Sequence, residues 1–414
     1  MRDDAARKKP IRHLLATFMV QTFAAAGFMG FVLIAPNLAT ATGLAERDFG
    51  LAVTFIFMGT AISSAMTGTY MRWFGSVGAQ ALAVVWMAGT VLIVYVGTWE
   101  ATMFAAFLFG LGYGPLSPIS MTIVTERTPP QNRGLFLSIR QSSQPLAGVI
   151  LGRALPPLML AYGWQAGVLS ISVAVALGFL IIFIWPSLFR LRDERTIRAP
   201  VDVTSRNRGL LHAIASRFIV PANLRVLWAA GVIFAITQVG LVFFTYIYML
   251  EEVKLSPIAA GIFASNLQVA GLLGRPVFGW ICDRIGRTDV VLIAIALISV
   301  ASSYGLVLVE TTWSAWAFLG LALACGFSGQ GWNAVFTAAM SELVPREKLA
   351  EMNGRAFAFL SLGWMSGAPF CWYLIEVFGN YRPLYVVVMA LNLAVAILLT
   401  IWILTRRKPE LASA

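Results

Sequence analysis

Residues 166–188 read AGVLSISVAVALGFLIIFIWPSL, 23 positions without one charged side chain. About 20 predominantly apolar residues are enough to cross the hydrocarbon core of a bilayer as a helix. The rest of the chain agrees with that reading. Hydrophobic residues make up 59% and charged residues only 12%, where an ordinary soluble domain carries about a quarter charged. The mean hydropathy is +0.79. Lipid is therefore the solvent for most of this surface.

Working outward from that run, apolar segments precede it at residues 14–37, 51–71, 81–96, 103–124 and 135–162. Six more follow at 226–250, 258–281, 290–309, 314–340, 356–375 and 384–404. Connectors this short force each backbone to satisfy its own polar groups, which excludes an open sheet and leaves helices. The expectation is an all-α membrane protein of twelve transmembrane helices in two six-helix pseudo-repeats. Its divisions are a first bundle at 1–188, a linker at 189–224 and a second bundle at 225–414. No cleavable leader is expected, because the apolar stretch behind the charged start is long enough to span.

Basic residues orient the chain. With the N-terminus in the cytoplasm, the inner segments hold Arg2, Arg7, Lys8, Lys9, Arg12, Arg72, Arg127, Arg133, eight arginines from Arg190 to Arg225, Arg284, Arg287, Arg346, Lys348, Arg355, Arg406, Arg407 and Lys408. The outer segments keep Arg47, Lys254 and Arg382. This bias places both termini in the cytoplasm of a multi-pass protein of the plasma (inner) membrane. The net charge of +11 is then an insertion signal, and nucleic acid is not an expected partner.

Traces of duplication survive. Glu126-Arg127-Thr128-Pro129 follows the fourth span and Glu342-Leu343-Val344-Pro345 the tenth. Gly163-Trp164 closes the fifth span and Gly379-Asn380-Tyr381 the eleventh. After the eighth span residues 279–287 read GWICDRIGR, with Gly279 and Gly286 suited to close helix approach and a tight turn and Asp283 placed to accept a latching hydrogen bond. Arg284 and Arg287 complete the set. In the first half Gly68 and Gly75 keep the spacing, but Arg72 stands at the aspartate position.

Residues 279–287 match G-x-x-x-D-R-x-G-R, and on them the chain resembles the major facilitator superfamily. That resemblance implies a secondary transporter whose halves alternate access to a central site, with the motif gating the cytoplasmic side. Within the superfamily the chain is most similar to the monocarboxylate and oxalate–formate antiporter-like carriers. Arg275-Pro276-Val277-Phe278-Gly279 resembles their R-P-x-x-G, whose arginine implies a carboxylate ligand. Arg133 and Pro145 share the spacing of their fifth-span stretch, and Gly110-Leu111-Gly112-Tyr113 resembles their glycine-rich fourth span. Gly271 replaces their acidic residue, and their first-span lysine is missing.

An arginine at membrane depth costs roughly 2.5–3.5 kcal/mol on insertion scales, so it faces a cavity or a partner, or snorkels. Three qualify: Arg275, Arg140 and Arg153. Arg275 ranks first, and Gln268 shares its helical face seven residues earlier. Arg140 shares a face with Gln144, and for it snorkelling and binding stay equally open. Arg153 points away from Arg140. Gln21, Tyr113, Gln238, Gln330 and Asn333 are further polar candidates for the substrate. Interhelical bonding is the competing use of each. Trp164, Trp185, Trp228, Trp313, Trp316 and Trp402 fall near span ends, where an aromatic belt is expected.

Enzyme chemistry has little to stand on. His13 and His212 lie outside the core, and Cys282, Cys325 and Cys371 lack metal-ligand spacing, so neither cofactor nor metal is expected. No Asp or Glu falls at membrane depth. The expectation is a monomeric carrier of a small organic anion, with a co- or counter-transported ion as partner. An exporter of drugs or other hydrophobic molecules is the alternative.

Overall fold

A computed structural model describes residues 2–45, 48, 51–128, 133–191, 221–344 and 346–411. Among them every regular element is helical, as apolar segments in lipid require. The helices are α1 (Arg2–Thr42), α2 (Ala52–Ala65), α3 (Thr67–Val91), α4 (Trp99–Arg127), α5 (Arg133–Gln141), α6 (Ser143–Tyr162) and α7 (Trp164–Ile184). Then come α8 (Arg225–Val239), α9 (Thr245–Glu251), α10 (Pro257–Ile285), α11 (Thr288–Leu308), α12 (Ala315–Leu343), α13 (Arg346–Phe378) and α14 (Arg382–Leu411). Nine helices among the described residues are long and apolar enough to cross a membrane, and Ala52–Ser64 is a shorter apolar one. Most of the linker, His212, Pro129 and Pro345 lie outside the described residues, as do the side chains of Arg133, Asp283, Arg346, Lys348 and Arg355.

Three predicted spans are interrupted. The second breaks at Met66, and the expected connector behind it is helical within α3, bent at Gly75 (φ 69°, ψ 174°). The fifth turns at Ser142 between α5 and α6. The seventh carries a π-helical stretch, Gly240–Phe244, between α8 and α9. Such π-helical turns are rare and occur mostly as single-turn bulges inside α-helices.

Glycine geometry repeats between the halves. Gly75 and Gly286, which hold the same place in the two motif copies, have φ of 69° and 63°. Gly163 and Gly379, which close the fifth and eleventh predicted spans, have φ of 82° and 70°. A side chain disfavours this left-handed region, so the turns need glycine. Among the described residues nothing lies within 4 Å of where a Cβ on Gly279 would sit.

Packing gathers the chain into two compact units, Met1–Ala199 with Phe243–Leu272, and Pro200–Val242 with Leu273–Ala414. In the first unit α2 and α4 cross at backbone contact. Thr60 and Ser63 donate to the Gly110 carbonyl at 3.3 Å each, and Ser64 donates to that of Gly114 at 3.0 Å. Small residues allow this approach, and their hydroxyls hold it. The second unit packs around Trp332, wholly buried and stacked on Phe234 at 5.5 Å. Trp228 belongs to this core, 2% exposed with Nε1 on the Met340 sulfur. That corrects its expected place in an aromatic belt; Trp185 and Trp316 remain exposed.

Candidate functional site

The polar centre of the first unit is built on Arg140, 2% exposed near the end of α5. Its Nη1 donates to Ser117 Oγ at 3.0 Å and its Nη2 to Gln21 Oε1 at 2.8 Å. Nη2 also donates to Ser120 Oγ. Gln21 comes from α1 and the serines from α4, so one guanidinium joins three helices. The amides of Gln21 and of Gln144, on α6, both donate to the Tyr113 hydroxyl at 2.9 Å. Tyr113, Ser117 and Ser120 are spaced i, i+4, i+7, which sets them on one face of α4.

All three acceptors of the guanidinium named here are neutral. Arginine does not deprotonate in a protein, so the guanidinium itself stays charged. Snorkelling requires an accessible head group, and this one is buried in a hydrogen-bonded network. The close fit of α1 depends on Gly30, whose Cβ would lie 2.5 Å from Ile171. Phe28 packs beside Tyr113, at 6.1 Å from its ring and 5.2 Å from that of Phe243.

Gln268 also belongs to this unit. It packs on Gly148, whose Cβ would lie 2.5 Å from its Cγ, and its amide reaches the Met29 sulfur at 3.7 Å. Gly148 is one turn from Gln144, so five of the expected residues, Gln21, Tyr113, Arg140, Gln144 and Gln268, gather within one unit. Beyond Gly148, α6 and α10 touch: a Cβ on Gly152 would lie 2.8 Å from the Gly261 carbonyl. Arg153 is exposed there and donates to Asn266 at 2.9 Å.

The other candidates lie in the second unit. Arg275 is 5% exposed on α10, which is no position for a side chain reaching the head groups. Gln268 lies seven residues before Arg275 on the same helix, α10. Gln238 accepts from the Trp364 indole at 3.0 Å, an interhelical contact between α8 and α13. Asn333 donates to the Gln330 carbonyl at 3.4 Å within α12.

The motif at 279–287 forms the turn from α10 to α11. Arg287 pairs with Asp289 through Nε at 2.9 Å and Nη2 at 3.0 Å, and Thr288 donates to Glu342 at 2.7 Å. The hydrogen bond that Arg287 donates to the Asp289 carboxylate raises the Arg287 pKa above its ordinary value. Arg284 lies over the Trp280 ring, 4.9 Å from its centre. Asp283 sits in the last turns of α10. Ser117 and Ser120 were not among the expected site residues, although their spacing from Tyr113 carries the signal. Among the described residues no cluster suits a metal ion.

Comparison with known proteins places this geometry in a family. The hexuronate transporter of Bacillus subtilis (strain 168) is 21% identical over 363 residues, 84% of each chain. The gallate transporter of Pseudomonas putida is 25% identical over 299 residues, 65% of this chain and 64% of that one. A crystal structure of the peptide transporter POT shares the fold, with a TM-score of 0.71 at 16% identity over 94% of this chain and 93% of that one. The Major Facilitator Superfamily profile matches residues 17–332 and 227–414. With long apolar helices besides, this is an integral multi-pass membrane protein, and the chain belongs to the Major Facilitator Superfamily.

Proposed function

We propose that this protein is a secondary active transporter carrying a small organic carboxylate across the plasma (inner) membrane by alternating access. The observation that carries the reading is the buried Arg140 guanidinium, held by the neutral oxygens of Gln21, Ser117 and Ser120. An entering carboxylate replaces neutral acceptors with an ionic one, and charge-assisted hydrogen bonds are roughly twice as strong. Tyr113, Gln144 and Gln268 then orient the rest of the molecule. The relatives named for hexuronate and gallate support the class, since both compounds are carboxylates.

The architecture belonging to this reading is twelve transmembrane helices in two six-helix repeats, with both termini cytoplasmic. The paired glycine turns at 75 and 286 and at 163 and 379 support the duplication. The 279–287 turn gates the cytoplasmic side. With arginines as the buried ionisable groups of the site, exchange of one anion for another needs no titrating side chain at the midplane. Uptake into liposomes tests this. Strong stimulation by internal hexuronate or gallate with little response to a proton gradient is expected. Gradient-driven uptake into empty liposomes refutes exchange, and transport of hydrophobic cations unaffected by carboxylates refutes the substrate class.

A further inference from the structure

We propose that residues 186–191, at the start of the linker, form a strap that braces the Arg140 site from below. This stretch follows α7 as a short 3-10 turn, Pro186–Phe189. In a connector rich in arginine it is unusually deep: Phe189 is 0% and Leu191 2% exposed. Four side chains from three helices grip the backbone of four successive residues. His13 Nδ1 donates to the Leu188 carbonyl at 2.7 Å and Gln80 Nε2 to that of Phe189 at 3.4 Å. Arg127 Nη2 donates to the Arg190 carbonyl at 3.1 Å, and the Leu191 N–H donates to Ser76 Oγ at 3.1 Å. Leu191 then packs with Ala79, Ile119 and Ile123.

Two of the three gripped helices, α1 and α4, carry side chains of the site. His13 lies eight residues before Gln21 on α1, about 12 Å along the axis at 1.5 Å per residue. Arg127 lies seven residues beyond Ser120 on α4, about 10 Å by the same rise. Ser76 and Gln80 tie in α3 just past its bend at Gly75. The bonds from Arg140 to Gln21 and Ser117, and from Gln21 to Tyr113, hold only while α1 and α4 keep their spacing. A binding constellation must stay within about 0.5 Å of its working geometry. Releasing the strap lowers the fraction of molecules with a formed site, and apparent affinity falls by that fraction. His13, Ser76, Gln80 and Arg127 are thus positioning residues; this rests on the carboxylate reading above.

The test uses the full chain with Leu191→Cys as reporter, the native thiols being buried. In the parent the reporter reacts slowly with maleimide. In His13→Ala/Ser76→Ala it should react at least about tenfold faster. The dissociation constant for hexuronate or gallate, measured by calorimetry without the reporter, should rise about 3- to 10-fold as the competent fraction falls. Backbone hydrogen exchange across residues 113–120 should rise with it. His13→Asn, whose amide can donate to the same carbonyl, should stay within about twofold of the parent. Rapid labelling in the parent overturns the strap. Release of the reporter with unchanged affinity and unchanged exchange overturns the brace. If the parent binds neither probe, the carboxylate reading fails on its own, and the exchange measurement then decides the brace.

Discussion

Replacing Arg140 by lysine keeps the charge and removes the fork. Nη1 and Nη2 of Arg140 reach Ser117 at 3.0 Å and Gln21 at 2.8 Å, on two different helices. A lysine ammonium is one point on a flexible stem and cannot hold both while presenting two parallel donors to a carboxylate. The variant should lose one charge-assisted hydrogen bond to the substrate, worth about 1.5–3 kcal/mol. At about 1.4 kcal/mol per tenfold, that is roughly 10- to 100-fold weaker binding. Arg140→Gln, which retains donors for Ser117 or Ser120 without the charge, should fold and bind no carboxylate measurably. The assay is calorimetry on purified protein with hexuronate and gallate, beside a melting curve for each variant. Binding by Arg140→Lys within about threefold of the parent, at equal folded protein, refutes the role assigned to the fork. So does Arg140→Gln that fails to fold at all, which would make the residue a structural tie.

Three further outcomes are expected. Tyr113→Phe strands the Gln21 and Gln144 amides that donate to its hydroxyl; with buried unsatisfied donors costing about 1–3 kcal/mol each, carboxylate affinity should drop about tenfold, and unchanged affinity would remove Tyr113 from the site. Gly110→Ala drives a methyl group into the Ile56 carbonyl at the α2–α4 crossing. It should cost about 1–3 kcal/mol in denaturant titrations as overpacking does, and wild-type stability would mean that the crossing yields. A cysteine at Thr98, exposed ahead of α4, should label from outside intact cells while one at Ala412 does not. Labelling of both would overturn the cytoplasmic placement of the C-terminus.

The sequence by itself determined the helices, because in lipid an apolar run has no backbone partner but its own turns. It also carried four turn glycines, since Gly75, Gly286, Gly163 and Gly379 each occupy a backbone conformation that side chains disfavour. It showed, too, which polar residues were costly enough to need a reason. What it left open was which of them meet. Helical phase tells that Arg140 and Gln144 share a face, but Arg140 donates to Gln21, 119 positions away on another helix. Periodicity within one helix says nothing about which neighbour that face will find. The same holds for Trp228, read as a belt residue and found in the core. His13 is the sharpest case. Sequence places it beyond the bilayer core, and only packing brings it to the Leu188 carbonyl, 175 residues on, because such contacts arise from the crossing of helices and no local pattern encodes them.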